Sequence, residues 1–170
     1  MPEGPEVQTV LNTLQDKLNG AVISRVEIHH PKLPANLPPD EFARALQGQT
    51  ICGFSRIGKY LILITTDYDW VIHLRMEGKF FVLDHKPDPR EKHMHAMFEL
   101  ADGRCLVYHD VRKFGRMYLY PKQENLRDLP VFDKVGPDAL SPISPREFRN
   151  RLRKNRAIKI NLLDQAVIAG

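Results

Sequence analysis

The chain has 170 residues, 42% of them hydrophobic and 27% charged, with 13 prolines and 10 glycines; this is room for one well-filled core or two small ones and excludes disordered or collagen-like chains. No apolar run approaches the roughly 20 residues of a membrane-spanning helix, and the acidic opening Met1-Pro2-Glu3-Gly4-Pro5-Glu6 has the wrong charge for a secretory signal, so a cytoplasmic protein without a membrane partner is expected. The formal charge of +4 is uneven: Pro145 to Ile160 holds Arg146, Arg149, Arg151, Arg153, Lys154, Arg156 and Lys159 against Glu147 alone, a local +6, and the remaining residues sum to −2.

Val7, Val10, Leu11, Leu14 and Leu18 recur at three and four residues between Pro5 and Gly20, so residues 5 to 18 predict an amphipathic helix. Val22 to His29 alternates as a strand, Pro31 to Pro39 is a loop, and Asp40 to Leu46 reads as a short helix stopped at Gly48. From Thr50 to Tyr120 short β-branched and aromatic runs alternate with turn signals at Thr66 to Asp69, Glu77-Gly78, Asp84 to Arg90 and Asp102-Gly103. Strands are predicted at 51–57, 60–65, 70–75, 79–84, 94–100, 104–109 and 116–120, with no intervening helices to make parallel crossovers. The expectation is a mainly β protein with flanking helices: an antiparallel meander folded into a two-layer β-sandwich behind an N-terminal helix.

Pro121 to Pro145 carries five prolines and no sustained periodicity, as a linker or wrapping loop would. Ser144-Pro145-Arg146-Glu147 then combines an N-cap, a first-turn proline and an N3 acid, and Phe148, Leu152 and Ile158 give the next helix a narrow apolar side. Ile160 to Ala169 starts another helix, and the sequence stops without a closing element. The division expected is 1–120 as a catalytic β-sandwich domain, 121–143 as linker and 144–170 as an incomplete helical domain. The basic window fits a footprint on a polyanion or a solvated helical face. Cys52 and Cys105 form neither a disulfide framework nor a C-x-x-C zinc pair, and both read as core thiols.

Pro2 is the most unusual feature. Removal of the preceding methionine would expose a secondary amine, whose reference pKa near 8 lies within reach of neutrality and is lowered further at a helix start. Glu3 and Glu6 stand beside it, and a carboxylic acid next to an amine nucleophile can donate or relay protons. The alternative is an ordinary terminus whose acids decorate a helix start.

Met1-Pro2-Glu3-Gly4-Pro5-Glu6-Val7, Arg56-Ile57-Gly58-Lys59-Tyr60, His73-Leu74-Arg75-Met76-Glu77-Gly78, Lys92-His93-Met94-His95 and Asp110-Val111-Arg112-Lys113-Phe114-Gly115-Arg116 occur in this order. Together they closely resemble the formamidopyrimidine-DNA glycosylase family, and the resemblance runs through the whole chain. It implies a base-excision repair enzyme that removes oxidised purines such as 8-oxoguanine and formamidopyrimidines and then cleaves the abasic site by β,δ-elimination. Pro2 would be the nucleophile, Glu3 the acid and proton shuttle at the opened sugar, and Glu6 a supporting relay. Lys59 would position a phosphate beside the lesion, and its alternative is a solvated turn lysine. His73 and His93 would contact the DNA backbone near the lesion, with His93 favoured over His95; a structural histidine is the alternative. Arg116 is equally readable as a solvated strand residue.

The resemblance assigns Met76, Arg112 and Phe114 to the void left by the extruded nucleotide, with Arg112 facing the orphaned base and Phe114 as a wedge. Core packing is the alternative for both apolar residues. Lys159, with the segment to Gln165, resembles the opening of the family's helix-two-turn-helix domain. The rest of that domain and the four-cysteine zinc finger are not matched, so no cofactor is expected in this chain and zinc is expected in the finger of a full-length parent. The partner implied is double-stranded DNA containing oxidised purines or abasic sites, bound by a monomer that is cytoplasmic or nucleoid-associated in a bacterium. Weak or undetectable activity is expected for a segment without the rest of that domain and the finger, because about 1 Å of misplacement can cost 100-fold. A noncatalytic damaged-DNA or abasic-site binding module is the competing function, and an inert fragment the third.

Overall fold

The computed structural model describes residues 1–153 and 155–170; Lys154 of the basic window lies outside the described residues. Helix α1 (Gly4–Leu18) buries Val7, Leu11, Leu14 and Leu18 of the stripe read from the sequence, leaves Val10 only partly buried, and ends ahead of Gly20 in the left-handed region at φ 78°. Strand β1 (Ile23–Ile28) and helix α2 (Pro39–Leu46) follow, then β2 (Ile51–Ile57), β3 (Tyr60–Thr65), β4 (Tyr68–His73), β5 (Lys79–Leu83), β6 (Met94–Leu100), β7 (Cys105–His109) and β8 (Arg116–Pro121).

The strands form two four-stranded antiparallel sheets, ordered β1-β6-β7-β5 and β2-β3-β4-β8. This corrects the simple meander. The chain runs β2-β3-β4 within one sheet, crosses to β5 in the other, and returns only after β7 to place β8 beside β4. Between the sheets lie Ile23, Phe98 and Leu106 from one and Leu61, Leu63, Trp70, Ile72 and Leu119 from the other, with α1 and with Phe42 and Leu46 of α2 closing the same core. Trp70 is fully buried, 4.6 Å from the Phe98 ring and 6.3 Å from Phe42. Full burial of each such side chain contributes about 1.5–3 kcal/mol.

Strand β4 begins two residues earlier than predicted because Tyr68 and Asp69 pair with Pro121 and Tyr120, although they look like turn residues. The Asp69 side chain lies inside, its Oδ2 accepting the Gln123 amide at 2.9 Å while Oδ1 is buried without a partner among the described residues. The outer face of this sheet is also apolar and is covered by the proline-rich segment, whose Leu129 and Phe132 join Ile57, Ile62 and Val71 in a second cluster. The segment therefore wraps the sheet.

Helix α3 (Pro145–Arg151) starts as read, with Ser144 Oγ accepting the Glu147 amide at 3.2 Å. It does not reach Ile158, which opens a separate helix, α4 (Ile158–Leu163), and is exposed. The break is organised by the buried Asn161: its side-chain amide donates to the Arg153, Arg156 and Ala157 carbonyls, and its oxygen accepts the Arg153 amide. The helix predicted from Ile160 to Ala169 likewise stops at Leu163; Asp164 Oδ1 then accepts the Ala166 amide, and Ala169 bridges to Asp138.

Only one cysteine is a core thiol. Cys105 is buried, and burial together with the Glu99 charge raises its pKa to about 11, whereas Cys52 is exposed on edge strand β2. Among the described residues no helix is long and apolar enough to cross a membrane.

Candidate functional site

The two crossings between the sheets that follow β4 and β7 lie at one end of the sandwich. His73, the last residue of β4, is opposite Arg116, the first of β8, while Lys79 of β5 is opposite His109 of β7. The crossovers 74–78 and 110–115 are thereby set side by side. Tyr60 also pairs with His73, which brings the Gly58-Lys59 turn to the same end, and Met94 pairs with His109, which brings His93 there.

The start of α1 reaches this end through Lys59. Its side chain is only 7% exposed, yet Nζ lies 2.6 Å from a carboxylate oxygen of Glu3, which is open to solvent. Lys59 is thus a buried, ion-paired cation, and the solvated-turn alternative fails. Glu3 is the N-cap of α1, and its amide donates to Glu6 Oε2 at 2.8 Å, which holds the Glu6 carboxylate against the Pro2-Glu3 peptide. Pro2 is half-buried, and its nitrogen is an amide because Met1 precedes it.

The Lys59 turn is fixed from behind. Arg56 grips Asp138 through two nitrogens at 2.7 and 3.1 Å and donates to Gln8 of α1 at 3.0 Å, while Asp138 also accepts the Gly58 amide at 3.0 Å. Burial alone would raise the Asp138 pKa, but Arg56 and the Leu140 and Gly58 amides outweigh it and hold the carboxyl below its ordinary value. In the sequence Arg56 stands out only as part of a motif and Asp138 not at all, since nothing local marks a partner 82 residues away.

Three hollows meet at the N-terminus. A cleft of about 450 Å³ is lined by Met1, Lys59, Tyr60, His73, Arg75 and Gln165, with the wrapping segment on its far side. A depression of about 370 Å³ is lined by Met1, Arg75, Met76, Phe114 and Arg116. The third brings Met1, Pro2, Glu6 and Met76 together. His73 accepts the Arg75 amide on Nδ1 at 3.1 Å, which leaves the proton of the neutral ring on Nε2. Burial first, then the Arg75 and Lys59 charges, push its pKa down to about 4, so the imidazole is neutral at neutral pH.

Met76 and Phe114 are 44% and 46% exposed, which rules out core packing for both. The Arg112 guanidinium sits 4.7 Å over the Phe114 ring. Their loop is built on Asp110, which is fully buried and accepts the Arg112 and Gly115 amides, each at 2.9 Å. Burial and the Asp110 charge push the Tyr108 pKa up, so its hydroxyl remains a donor toward Asp110.

His93 stands apart from the Lys59 cleft. It occupies the left-handed region at φ 70°, with its ring 5.5 Å from His109. His95 is buried and donates from Nε2 to the Asp110 carbonyl at 2.7 Å. Lys159 is exposed on α4 and is not brought to the clefts. Part of the basic window is internally paired: Arg151 with Glu147, and Arg153 and Arg156 with Asp164. Among the described residues no three His, Cys, Asp or Glu side chains are grouped to hold a metal.

Residues 1–117 match the family described as the formamidopyrimidine-DNA glycosylase N-terminal domain. The whole chain aligns with the formamidopyrimidine-DNA glycosylases of Bacillus cereus (strain ATCC 10987 / NRS 248) at 42% identity and of Bacillus subtilis (strain 168) at 43%, each over 175 residues. It spans 62% of the length of either relative. Among solved structures, a Lactococcus lactis Fpg in complex with DNA containing an abasic site superposes with a TM-score of 0.87 at 37% identity, covering 99% of this chain and 62% of that one. The same coverage, with 38% identity and a TM-score of 0.87, is found for the wild-type Lactococcus lactis Fpg with DNA containing N7-benzyl-Fapy-dG.

Proposed function

Because the chain belongs to the formamidopyrimidine-DNA glycosylase family, we propose that it carries the nucleophile and the duplex-opening residues of a base-excision glycosylase and abasic-site lyase. Its substrate is double-stranded DNA containing oxidised purines, 8-oxoguanine and formamidopyrimidines among them. The observation that supports this reading most directly is the meeting of the Pro2-Glu3 terminus with buried Lys59 and with the hollow lined by exposed Met76 and Phe114.

Removal of Met1 converts the Pro2 nitrogen from an amide into an amine with a free electron pair. That pair attacks C1′ of the extruded nucleotide, the glycosidic bond breaks, and the base leaves with its electrons and a proton. Glu3, held by Lys59, protonates the ring oxygen as the sugar opens, leaving an iminium between Pro2 and C1′. The iminium draws electrons from the C2′–H bond; loss of that proton expels the 3′ phosphate, and a second elimination expels the 5′ phosphate. Glu6 braces the Pro2-Glu3 peptide. Neutral His73 offers an Nε2–H donor to a DNA phosphate, His93 and Lys159 are further backbone contacts, and Met76, Arg112 and Phe114 fill the vacated stack and face the orphaned base.

Borohydride trapping tests this reading. The Met1-free chain is incubated with an 8-oxoguanine duplex and reductant, beside Pro2→Gly and Glu3→Gln variants and the chain that retains Met1. A covalent adduct is expected for the Met1-free chain, less for the variants and none with Met1 present. A folded, Met1-free chain that gives no adduct would defeat the catalytic reading, and duplex binding without an adduct would favour the binding module.

A further inference from the structure

We propose that Arg116 is a positioning residue that, together with Asp110, clamps the 111–115 crossover in the shape that presents Arg112 and Phe114. The role assigned to those two side chains rests on the function proposed above; the clamp itself rests on the following geometry.

Arg116 opens β8 opposite His73, and its Nη1 lies 2.7 Å from the Gly115 carbonyl, 3.2 Å from that of Lys113 and 3.3 Å from that of Phe114. One guanidinium nitrogen therefore gathers three successive carbonyls of the crossover. Asp110 acts on the opposite polarity, since its two carboxylate oxygens take the Arg112 and Gly115 amides. Donors are collected by one buried anion and acceptors by one half-buried cation, which is how a loop without sheet partners satisfies its backbone.

The loop needs such restraint. Lys113 is held at φ 60°, a conformation that a residue with a side chain keeps only where its surroundings enforce it. The turn also has no slack at Gly115, where an added Cβ would overlap the Tyr108 hydroxyl. Arg112 stacks on Phe114, so a displacement at 113–115 moves both projecting side chains. The competing role for Arg116 is a direct phosphate contact, which a cation beside the Met76 and Phe114 hollow could also make.

Two measurements on the 170-residue chain separate these roles, with Arg116→Met and Arg116→Lys as variants. Amide hydrogen exchange in the free chain, without DNA, should accelerate at least tenfold at Arg112 and Gly115 in Arg116→Met while the β3 and β4 amides stay protected. Arg116→Lys, which keeps a donor, should recover part of the protection and carries the comparison if Arg116→Met does not fold. Unchanged exchange at those two amides in folded Arg116→Met, or in Arg116→Lys where Arg116→Met does not fold, overturns the clamp. The second measurement is binding to an abasic-site duplex with cytosine or adenine opposite, over a range of salt. Positioning predicts a preference for cytosine at least fivefold weaker in Arg116→Met with the salt slope unchanged; a slope smaller by about one with the preference intact identifies a phosphate contact and overturns positioning. An unsubstituted chain that ignores the duplex counts against the proposed function alone, because the exchange measurement reads the clamp without DNA.

Discussion

Lys59 and Glu3 meet at 2.6 Å across a boundary between two media: the lysine side chain is 7% exposed and the glutamate 55%. The cation is fixed by the β2-β3 turn, which Asp138 holds in place, whereas the carboxylate is largely exposed on the capped first turn of α1. Positional information thus flows from Lys59 to Glu3, and Lys59 sets where the proposed proton shuttle stands.

Lys59→Met should cut borohydride-trapped adduct by about 100-fold, the scale expected when a reacting group is misplaced by about 1 Å. Stability should change by less than about 1 kcal/mol, because Glu3 is solvated and methionine fills much of the same volume. Urea denaturation and trapping on the same preparation check both, and an unchanged adduct yield would remove Lys59 from the mechanism.

Asp138→Asn should destabilise the chain by about 3–5 kcal/mol, since it leaves the Arg56 charge buried without its partner. At about 2–4 °C per kcal/mol for a chain of this size, the melting temperature should fall by about 10 °C. Arg56→Met combined with Asp138→Leu should recover much of the loss, and calorimetry of the single and double variants would show otherwise if the pair were inert.

Acid should weaken the fold through His73. The unfolded imidazole protonates at its ordinary 6.5 and the folded one only at about 4. Between these values the unfolded chain binds more protons, so stability is complete above about pH 6.5 and is lost as the pH falls toward 4, by about 3 kcal/mol for this group. Burial lowers His30 and His95 in the same direction. His73→Gln should flatten the decline in urea stability between pH 7 and pH 5, and an equally steep decline would assign the effect to the other histidines.

Gly115→Ala should destabilise by about 1–3 kcal/mol, as overpacking does, because its Cβ would overlap the Tyr108 hydroxyl and crowd Asp110. Gly103→Ala is a useful contrast: nothing lies within 4 Å of its added Cβ, so only the backbone penalty at φ 92° remains. Paired denaturation curves test whether the steric contribution at Gly115 exists.

Much of this architecture is legible in the chain because its signals are local. The stripe of Val7, Leu11, Leu14 and Leu18, the Ser144 cap and most strand limits follow from periods and turn residues that neighbours decide among themselves. Sheet order is different. The pairing of β8 with β4, or of β1 with β6, is a contest between distant segments that alternation does not encode. The same limit governs the site: Pro2, Glu3 and Lys59 carry chemistry in their residue types, whereas the burial of Lys59 and the tasks of Asp138 and Asp110 arise only from long-range contacts. Met76 and Phe114 illustrate the converse, since composition places such residues inside and the inter-sheet crossovers put them in water.

Those crossovers also divide the molecule into parts that can change at different rates. Met76, Arg112 and Phe114 ride on connections outside the sheet ladders, and their exposed side chains contribute little to the core, so replacing them costs little folding free energy. The scaffold beneath, with Trp70 wedged between Phe98 and Phe42, tolerates no such freedom. Variation can therefore reshape this exposed end while the sandwich stays constant, and under the proposed function a library confined to these three positions would alter how the opened duplex is filled and which base is accepted opposite the lesion.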